Sequence, residues 1–104
     1  MTCSEIKAWL ITVDPTIERY ESSHTGSDAY TVWRELGPAG IYADGETQGV
    51  TRFQVDRFTK TEDDATALAI WVALEGRDDI AFEYLIDFEP DTGYIHHIFD
   101  CEAC

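Results

Sequence analysis

The side chains of this sequence that could bind a metal or do redox chemistry are three cysteines and three histidines. Cys101 and Cys104 form a C-x-x-C pair, but the neighbouring carboxylates of Asp100 and Glu102 disfavour a thiolate there. The remaining candidate zinc ligands are Cys3, His96 and His97. No second C-x-x-C or H-x-H pair accompanies them, as a structural zinc site would require. We therefore expect no metal ion, no cofactor and no disulfide.

Catalytic side chains are equally sparse. His96 and His97 are adjacent in a predicted strand, so their side chains point to opposite faces and cannot form one site. Ser22-Ser23-His24 lacks the strand-to-helix turn of a nucleophile elbow. The four glycines between residues 37 and 49 lack the spacing of a phosphate-binding loop. We therefore expect that the chain is not an enzyme and has no catalytic residue.

Two helices are predicted from capping and periodicity. Thr2 and Glu5 fit a capping box that opens a helix over 3–13. Its apolar face consists of Ile6, Trp9, Leu10 and Val13. A second helix is predicted over 62–75, with Thr61 as N-cap and Gly76 just past its end. Its apolar stripe consists of Ala65, Leu68, Ala69 and Val72.

Five strands are predicted from period-two alternation. Their ranges are 17–21, 30–36, 50–58, 80–88 and 94–101. The last two are joined by Glu89-Pro90-Asp91-Thr92-Gly93, in which Pro presets φ and Gly takes a positive φ. The order of elements predicts one α+β domain over residues 1–104. It has a small, mostly antiparallel sheet of four to five strands, a helix packed on the sheet and a short N-terminal helix.

The same patterns give a predicted core and a candidate assembly interface. The predicted core consists of Phe53, Val55, Leu68, Val72, Phe82, Tyr84 and Ile86. Alternation alone does not decide Phe82 and Tyr84, which face either the core or a partner. Further apolar residues of the second helix suggest that it meets a second surface, either the first helix or a neighbouring subunit. The segment 37–49 reads either as a wide hairpin loop or as a loop that contacts partners. The candidate assembly residues are Tyr42, Asp44, Glu46, Ile70 and Trp71.

The charge of the chain limits the classes of partner that it can bind. Twenty-one acidic and seven basic residues give a formal net charge of −14. Such a chain repels nucleic-acid phosphates and anionic membrane surfaces. No run approaches the about 20 apolar residues that a membrane span needs. The acidity fits a solvated surface, a surface that repels or mimics DNA, or adaptation to a saline habitat.

The order of elements carries a resemblance to a known family. The segments concerned are Tyr30–Glu35, Arg52–Phe58, Thr61–Ala65, Phe82–Phe88 and Glu89–Tyr94. Together they resemble the tail terminator, or tail completion, proteins of tailed phages and prophages. Ala29 departs from that pattern, since a proline is expected before the aromatic strand, and so does the cysteine-containing end.

This resemblance implies a structural, non-catalytic role as a virion protein. Family members assemble as a ring, usually hexameric, on the end of the tail tube, where they join head and tail. The implied partners are the tail tube protein and the neck or head-completion proteins, met in the host cytoplasm during assembly and then in the virion tail or neck. DNA would pass through the ring without being bound. The alternative is a small acidic inhibitor, a DNA mimic or immunity-type protein that blocks a basic enzyme.

Overall fold

The computed structural model describes residues 1–36 and 50–104. Its elements are α1 (Cys3–Val13), β1 (Glu18–Arg19), β2 (Ala29–Glu35), β3 (Thr51–Thr59), α2 (Ala65–Glu75), β4 (Ile80–Glu89) and β5 (Tyr94–Ala103). The strands form one sheet in the order β1-β2-β3-β5-β4, in which only the short β1 pairs in parallel. The predicted fold class, a small α+β domain with a mostly antiparallel sheet, is confirmed.

The first helix begins and packs as the sequence predicts. The side-chain hydroxyl of Thr2 accepts from the Glu5 amide, and the Glu5 carboxylate accepts from the Thr2 amide, so both halves of the capping box are present. Ile6 and Leu10 are buried in the core, and Trp9 and Val13 pack against it. The spacing of apolar residues at i, i+3, i+4 and i+7 is therefore sufficient to locate this helix in the sequence.

The β4–β5 hairpin also follows the sequence closely. It pairs without a bulge from Ile80 opposite Ala103 to Glu89 opposite Tyr94. Gly93 takes a φ of +80°, which is the positive value that the turn requires of it. The hairpin is the outermost part of the sheet on its side, because β5 pairs with β3 and β4 is the last strand in the order.

The second helix begins later than predicted. Its N-cap is Asp64, whose carboxylate accepts a 2.8 Å hydrogen bond from the Ala67 amide. Thr61 is therefore not the cap, and the acids at 62–64 precede the helix instead of lying in its first turn. Gly76 does follow its end, as predicted.

The core prediction is right for the centre of the sheet. It is wrong for two residues of α2 and for the two predicted β4 residues nearest the turn. Phe53 and Val55 are fully buried, and Phe82 is half-buried against the core. The predicted core residues that are instead exposed are Leu68, Val72, Tyr84 and Ile86. In α2 the buried residues are Ala67, Ile70 and Leu74, so the helix is rotated relative to the predicted stripe.

Element length explains why the outer part of the sheet stays uncovered. Eleven residues make α2 about 16 Å long, because an α-helix rises about 1.5 Å per residue. The ten residues of β4 span about 34 Å at about 3.4 Å per residue. A helix of that length can cover at most about half of the strand. Because α2 starts just after Asp64, which is paired with Arg57 in the same row of the sheet as His97 and Ile86, the part of the hairpin beyond Ile86 extends past the helix. Tyr84 and Ile86 lie beside α2 and are separated from it by an open groove.

A matched pair of isoleucines tests this division of the chain. Ile70 is 1% exposed, whereas Ile86 is 59% exposed. We expect Ile70→Ala to lower the free energy of unfolding by about 2–5 kcal/mol, because it removes buried methyl groups and leaves a cavity. Ile86→Ala should change it by less than about 1 kcal/mol. Urea denaturation of both variants measures the difference, and equal losses would contradict the division.

Candidate interaction surface

An ion pair joins the start of α2 to the sheet. The Arg57 Nε donates to Asp64 Oδ2 at 3.0 Å and its Nη2 donates to Asp64 Oδ1 at 3.3 Å, while Nη1 donates to the Thr31 hydroxyl at 3.1 Å. The two charged side chains are only 9% and 12% exposed. One carboxylate therefore caps α2 and neutralises a cation on the helix-covered face of β3.

The position of Arg57 is the signal that would have located this pair in the sequence. By strand alternation Arg57 shares a face with Phe53 and Val55, which are core residues. A cation on a buried face requires a carboxylate nearby, because an unpaired buried charge is costly. Asp64, seven residues further on, meets that requirement, and Thr61 has no charge with which to do so.

The electrostatics of Asp64 reflect two opposed effects. Burial alone would raise the pKa of this carboxyl group. The hydrogen bonds from the Arg57 guanidinium and the Ala67 amide outweigh burial, so the pKa of Asp64 lies below its ordinary value of 3.8. The carboxylate is consequently charged throughout the neutral range, when it both caps the helix and holds the guanidinium.

A groove of about 670 Å³ opens between α2 and the exposed half of the hairpin. Its walls are mostly apolar, and the acids that precede α2 stand at its rim. The lining residues are Glu62, Asp63, Asp64, Ala67, Leu68, Trp71, Tyr84, Ile86, Ile95 and His97. Exposed apolar residues rimmed by charge are typical of protein–protein contact sites. The groove is therefore suited to apolar side chains whose ends carry positive charge.

One polar pair lies within this apolar lining. The Tyr84 hydroxyl and His97 Nδ1 are 2.7 Å apart, and their rings stack. The other ring nitrogen of His97, Nε2, is buried and has no hydrogen-bond partner among the described residues. Burial lowers the pKa of His97, and the nearby Asp64 opposes that effect only in part. The imidazole is therefore neutral at pH 7.

The opposite face of the sheet bears a separate aromatic cluster. Phe58 stacks between Tyr30 at 4.7 Å and His96 at 4.1 Å, measured between ring centroids. His96 Nε2 lies 2.8 Å from Asp56 Oδ1. His96 and His97 thus occupy opposite faces and have different partners, as strand alternation predicted. The two histidines do not converge on one site.

The structure places the remaining predicted site residues as follows. Tyr42, Asp44 and Glu46 lie outside the described residues. Ile70 belongs to the buried core and is not at the surface of this chain, whereas Trp71 lines the groove. The apolar excess of α2 that suggested a second contact is instead exposed through Leu68 and Val72.

The cysteines do not converge on a metal-binding group. Cys101 is buried on the core face of β5, Cys104 is exposed and Cys3 is half-buried. Burial raises the pKa of the Cys101 thiol, which keeps it protonated. Within residues 1–36 and 50–104, no three His, Cys, Asp or Glu side chains are grouped so that they could hold a metal ion. Neither of the two described helices is long and apolar enough to span a membrane.

Comparison with protein-family models, with curated proteins and with solved structures finds no significant match for this chain. The candidate surface is an apolar groove with an acidic rim beside an exposed strand.

Substitutions of neighbouring acids test the ion pair. We expect Asp64→Ala to lower the free energy of unfolding by about 3–5 kcal/mol, because it leaves Arg57 buried without a counter-charge. Glu62→Ala serves as the control, since Glu62 is exposed and makes no such pair with a described residue; it should cost less than about 1 kcal/mol. Urea denaturation at pH 7 gives both values, because uncharged urea does not screen the ion pair as guanidinium chloride would. Similar small losses would show that the pair does not fix α2.

The same pair predicts a pH dependence. Because the pKa of folded Asp64 is below 3.8, its stabilising contribution is complete above about pH 4 and is lost as the pH falls through the folded pKa. Asp64→Asn mimics the protonated carboxyl group. The stability gap between wild type and Asp64→Asn should therefore be constant from pH 7 to about pH 5 and shrink below about pH 4. Thermal unfolding across that range measures the gap, and a gap independent of pH would contradict the assignment.

Proposed function

We propose that this chain is a structural phage or prophage protein of the tail terminator or head–tail joining type, which caps the tail tube as a ring. The observation that carries the proposal is the exposed apolar surface that runs from α2 to β4. Its exposed residues are Leu68, Trp71, Val72, Tyr84, Ile86 and Phe88. An isolated small domain rarely exposes so many large apolar side chains close together, whereas an assembly subunit must.

Two contacts are needed by a ring subunit that also caps a tube. The outer side of α2, where Leu68 is 62% and Val72 is 55% exposed, would contact the next copy of this chain. The groove and β4 would contact the tube or neck protein. A ring requires a heterologous interface, in which different surfaces of successive copies meet. The outer side of α2 would supply one of these two surfaces.

Charge supplies the control of assembly in this proposal. With a net charge of −14, free copies repel one another, and this repulsion keeps them apart until a partner adds further contacts. The sheet face opposite the helices carries Glu83, Asp87 and Glu89 along β4. A net charge of −14 would also repel DNA phosphates in the channel and let the genome pass without sticking.

The acidic-inhibitor alternative is less well supported by the geometry of β4. A DNA mimic needs an exposed row of carboxylates. Leu85, 60% exposed, interrupts the row between Glu83 and Asp87 on the same face. An apolar side chain in that position suits a packed interface better than it imitates a phosphate backbone.

Salt-dependent association tests the copy–copy contact. In about 0.1 M salt charges interact over about 10 Å, whereas in about 1 M salt they interact over about 3 Å. We expect the wild type to sediment as a monomer at low salt and to form a ring-sized oligomer at high salt. The double variant Leu68→Asp, Val72→Asp should keep its melting temperature to within a few degrees, because both residues are exposed, yet remain monomeric.

The control for that experiment is Ile11→Asp, which alters an exposed apolar residue of α1 outside the surface. It should assemble like the wild type. Addition of a tail tube protein encoded beside this chain should cause ring formation at low salt. Assembly of the double variant would refute the α2 contact, and inhibition of a nuclease by the monomer would favour the acidic inhibitor.

A further inference from the structure

The outer edge of β4 presents a regular set of backbone groups. The Cys104 amide donates to the Asp79 carbonyl at 2.8 Å, which continues the ladder of the β4–β5 pair. In an antiparallel ladder, every second residue bonds to the partner strand and the residues between them direct both N–H and C=O outward. Odd-numbered residues of β4 therefore bond to β5. The even-numbered residues that face outward are Phe82, Tyr84, Ile86 and Phe88.

An independent contact confirms this assignment. The Phe88 amide donates to the Asp87 carboxylate at 2.9 Å and not to β5. Side-chain hydrogen bonding of this kind is available only to an N–H at the outer edge. Within the described residues no strand pairs with this edge. Phe82, Tyr84 and Ile86 thus offer a row of three outward-facing backbone positions to another chain.

The two faces of β4 differ in chemistry. The residues whose backbone groups face outward also carry the apolar side chains. Those side chains lie on the helix side of the sheet, beside the groove. The residues between them lie on the opposite face and include Glu83, Asp87 and Glu89. The strand contains no lysine or arginine. A chain that pairs with β4 therefore meets apolar side chains on one face and carboxylates on the other.

Pairing of β4 with a second copy of itself is disfavoured by these carboxylates. In the antiparallel register centred on Leu85, Glu83 of each copy lies directly opposite Asp87 of the other. Like charges in directly opposite positions destabilise a pair of strands. Antiparallel pairing through this edge places the carboxylates of both copies on the same face, and each chain adds a net charge of −14. A partner with cations on that face removes the repulsion.

We propose that β4 binds an extended segment of a partner protein, in which apolar and basic residues alternate, as an added sixth strand. The inference rests on the proposed function, because that function requires another chain to cover this surface. The apolar side chains of the segment would pack beside Tyr84 and Ile86 at the groove. Its lysines or arginines would lie opposite Glu83 and Asp87. Backbone hydrogen bonds to β4 would supply affinity, and alternation would supply specificity.

A synthetic peptide tests the inference without the natural partner. The probe is an acetylated and amidated eight-residue peptide of alternating Val and Lys, titrated into the full chain by calorimetry and by tryptophan fluorescence, since Trp71 lines the groove. We expect saturable binding that weakens as salt rises. A peptide of four Val followed by four Lys has the same composition and should bind at least tenfold more weakly. Equal affinities would overturn the inference, because charge alone would then explain binding.

Backbone methylation distinguishes strand addition from side-chain docking. In an antiparallel added strand, the Val amides face β4 and the Lys amides face away; in a parallel strand these roles are reversed. N-methylation of one of the two sets should therefore reduce affinity at least tenfold, and methylation of the other should leave it nearly unchanged. Equal effects of the two methylated peptides would exclude a sixth strand.

A charge swap tests the positions on the protein. The double variant Glu83→Lys, Asp87→Lys should bind the Val-Lys peptide with at least tenfold lower affinity than the wild type and should bind a Val-Glu peptide instead. Both residues are exposed on β4, so the variant should fold. The control Glu21→Lys with Asp28→Lys makes the same charge change at exposed positions away from β4 and should bind like the wild type. Circular dichroism melts check that both variants fold. Retention of the Val-Lys peptide by the swapped variant would overturn the inference.

The two proposals fail in distinguishable ways. Peptide binding should weaken with salt, whereas ring formation should strengthen with it. If the peptide does not bind and rings still form in high salt, strand addition is wrong and the proposed function stands. If the peptide binds with the predicted methylation pattern and no ring forms under any condition, strand addition stands and the ring is wrong.

Discussion

The ion pair between Arg57 and Asp64 is the interaction on which the arrangement of this domain depends. It starts α2 at Ala65 and anchors that start to β3, so that it sets both the position and the rotation of the helix. Ile70 and Leu74 then enter the core, and Leu68 and Val72 point to solvent. A buried ion pair also makes the position of α2 on β3 less tolerant of change. If either partner moves, the other is left as an unpaired buried charge.

The second constraint is the unequal reach of helices and strands. The two described helices, of eleven residues each, can cover only part of a sheet in which β4 and β5 have ten residues each, since a strand advances more than twice as far per residue. The remainder of the apolar face becomes the groove and the exposed half of β4. This exposed apolar surface is thus a direct result of geometry, and the acids that precede α2 give its rim a negative charge.

Acidic charge and apolar exposure have opposite effects, and the chain combines them. Exposed Ile86 and Phe88 favour association, whereas a net charge of −14 opposes association between copies. The balance is local as well, because apolar and acidic residues alternate along β4 itself. A strand of this kind is protected from pairing with its own copy and remains open to a cationic partner.

The sequence alone determined each element whose residue pattern is compatible with a single local structure. Thr2 and Glu5 fixed α1, unbroken alternation fixed β4, and Pro90 with Gly93 fixed the turn, since capping, period two and φ are local properties. In α2 nearly every position is apolar, so helical periodicity could not choose the buried side. That choice required Arg57 and Asp64 to meet across the fold. Likewise, alternation showed that Tyr84 and Ile86 share a face with Phe82, but only the tertiary structure, through the groove that separates α2 from β4, decided that the face is left uncovered there.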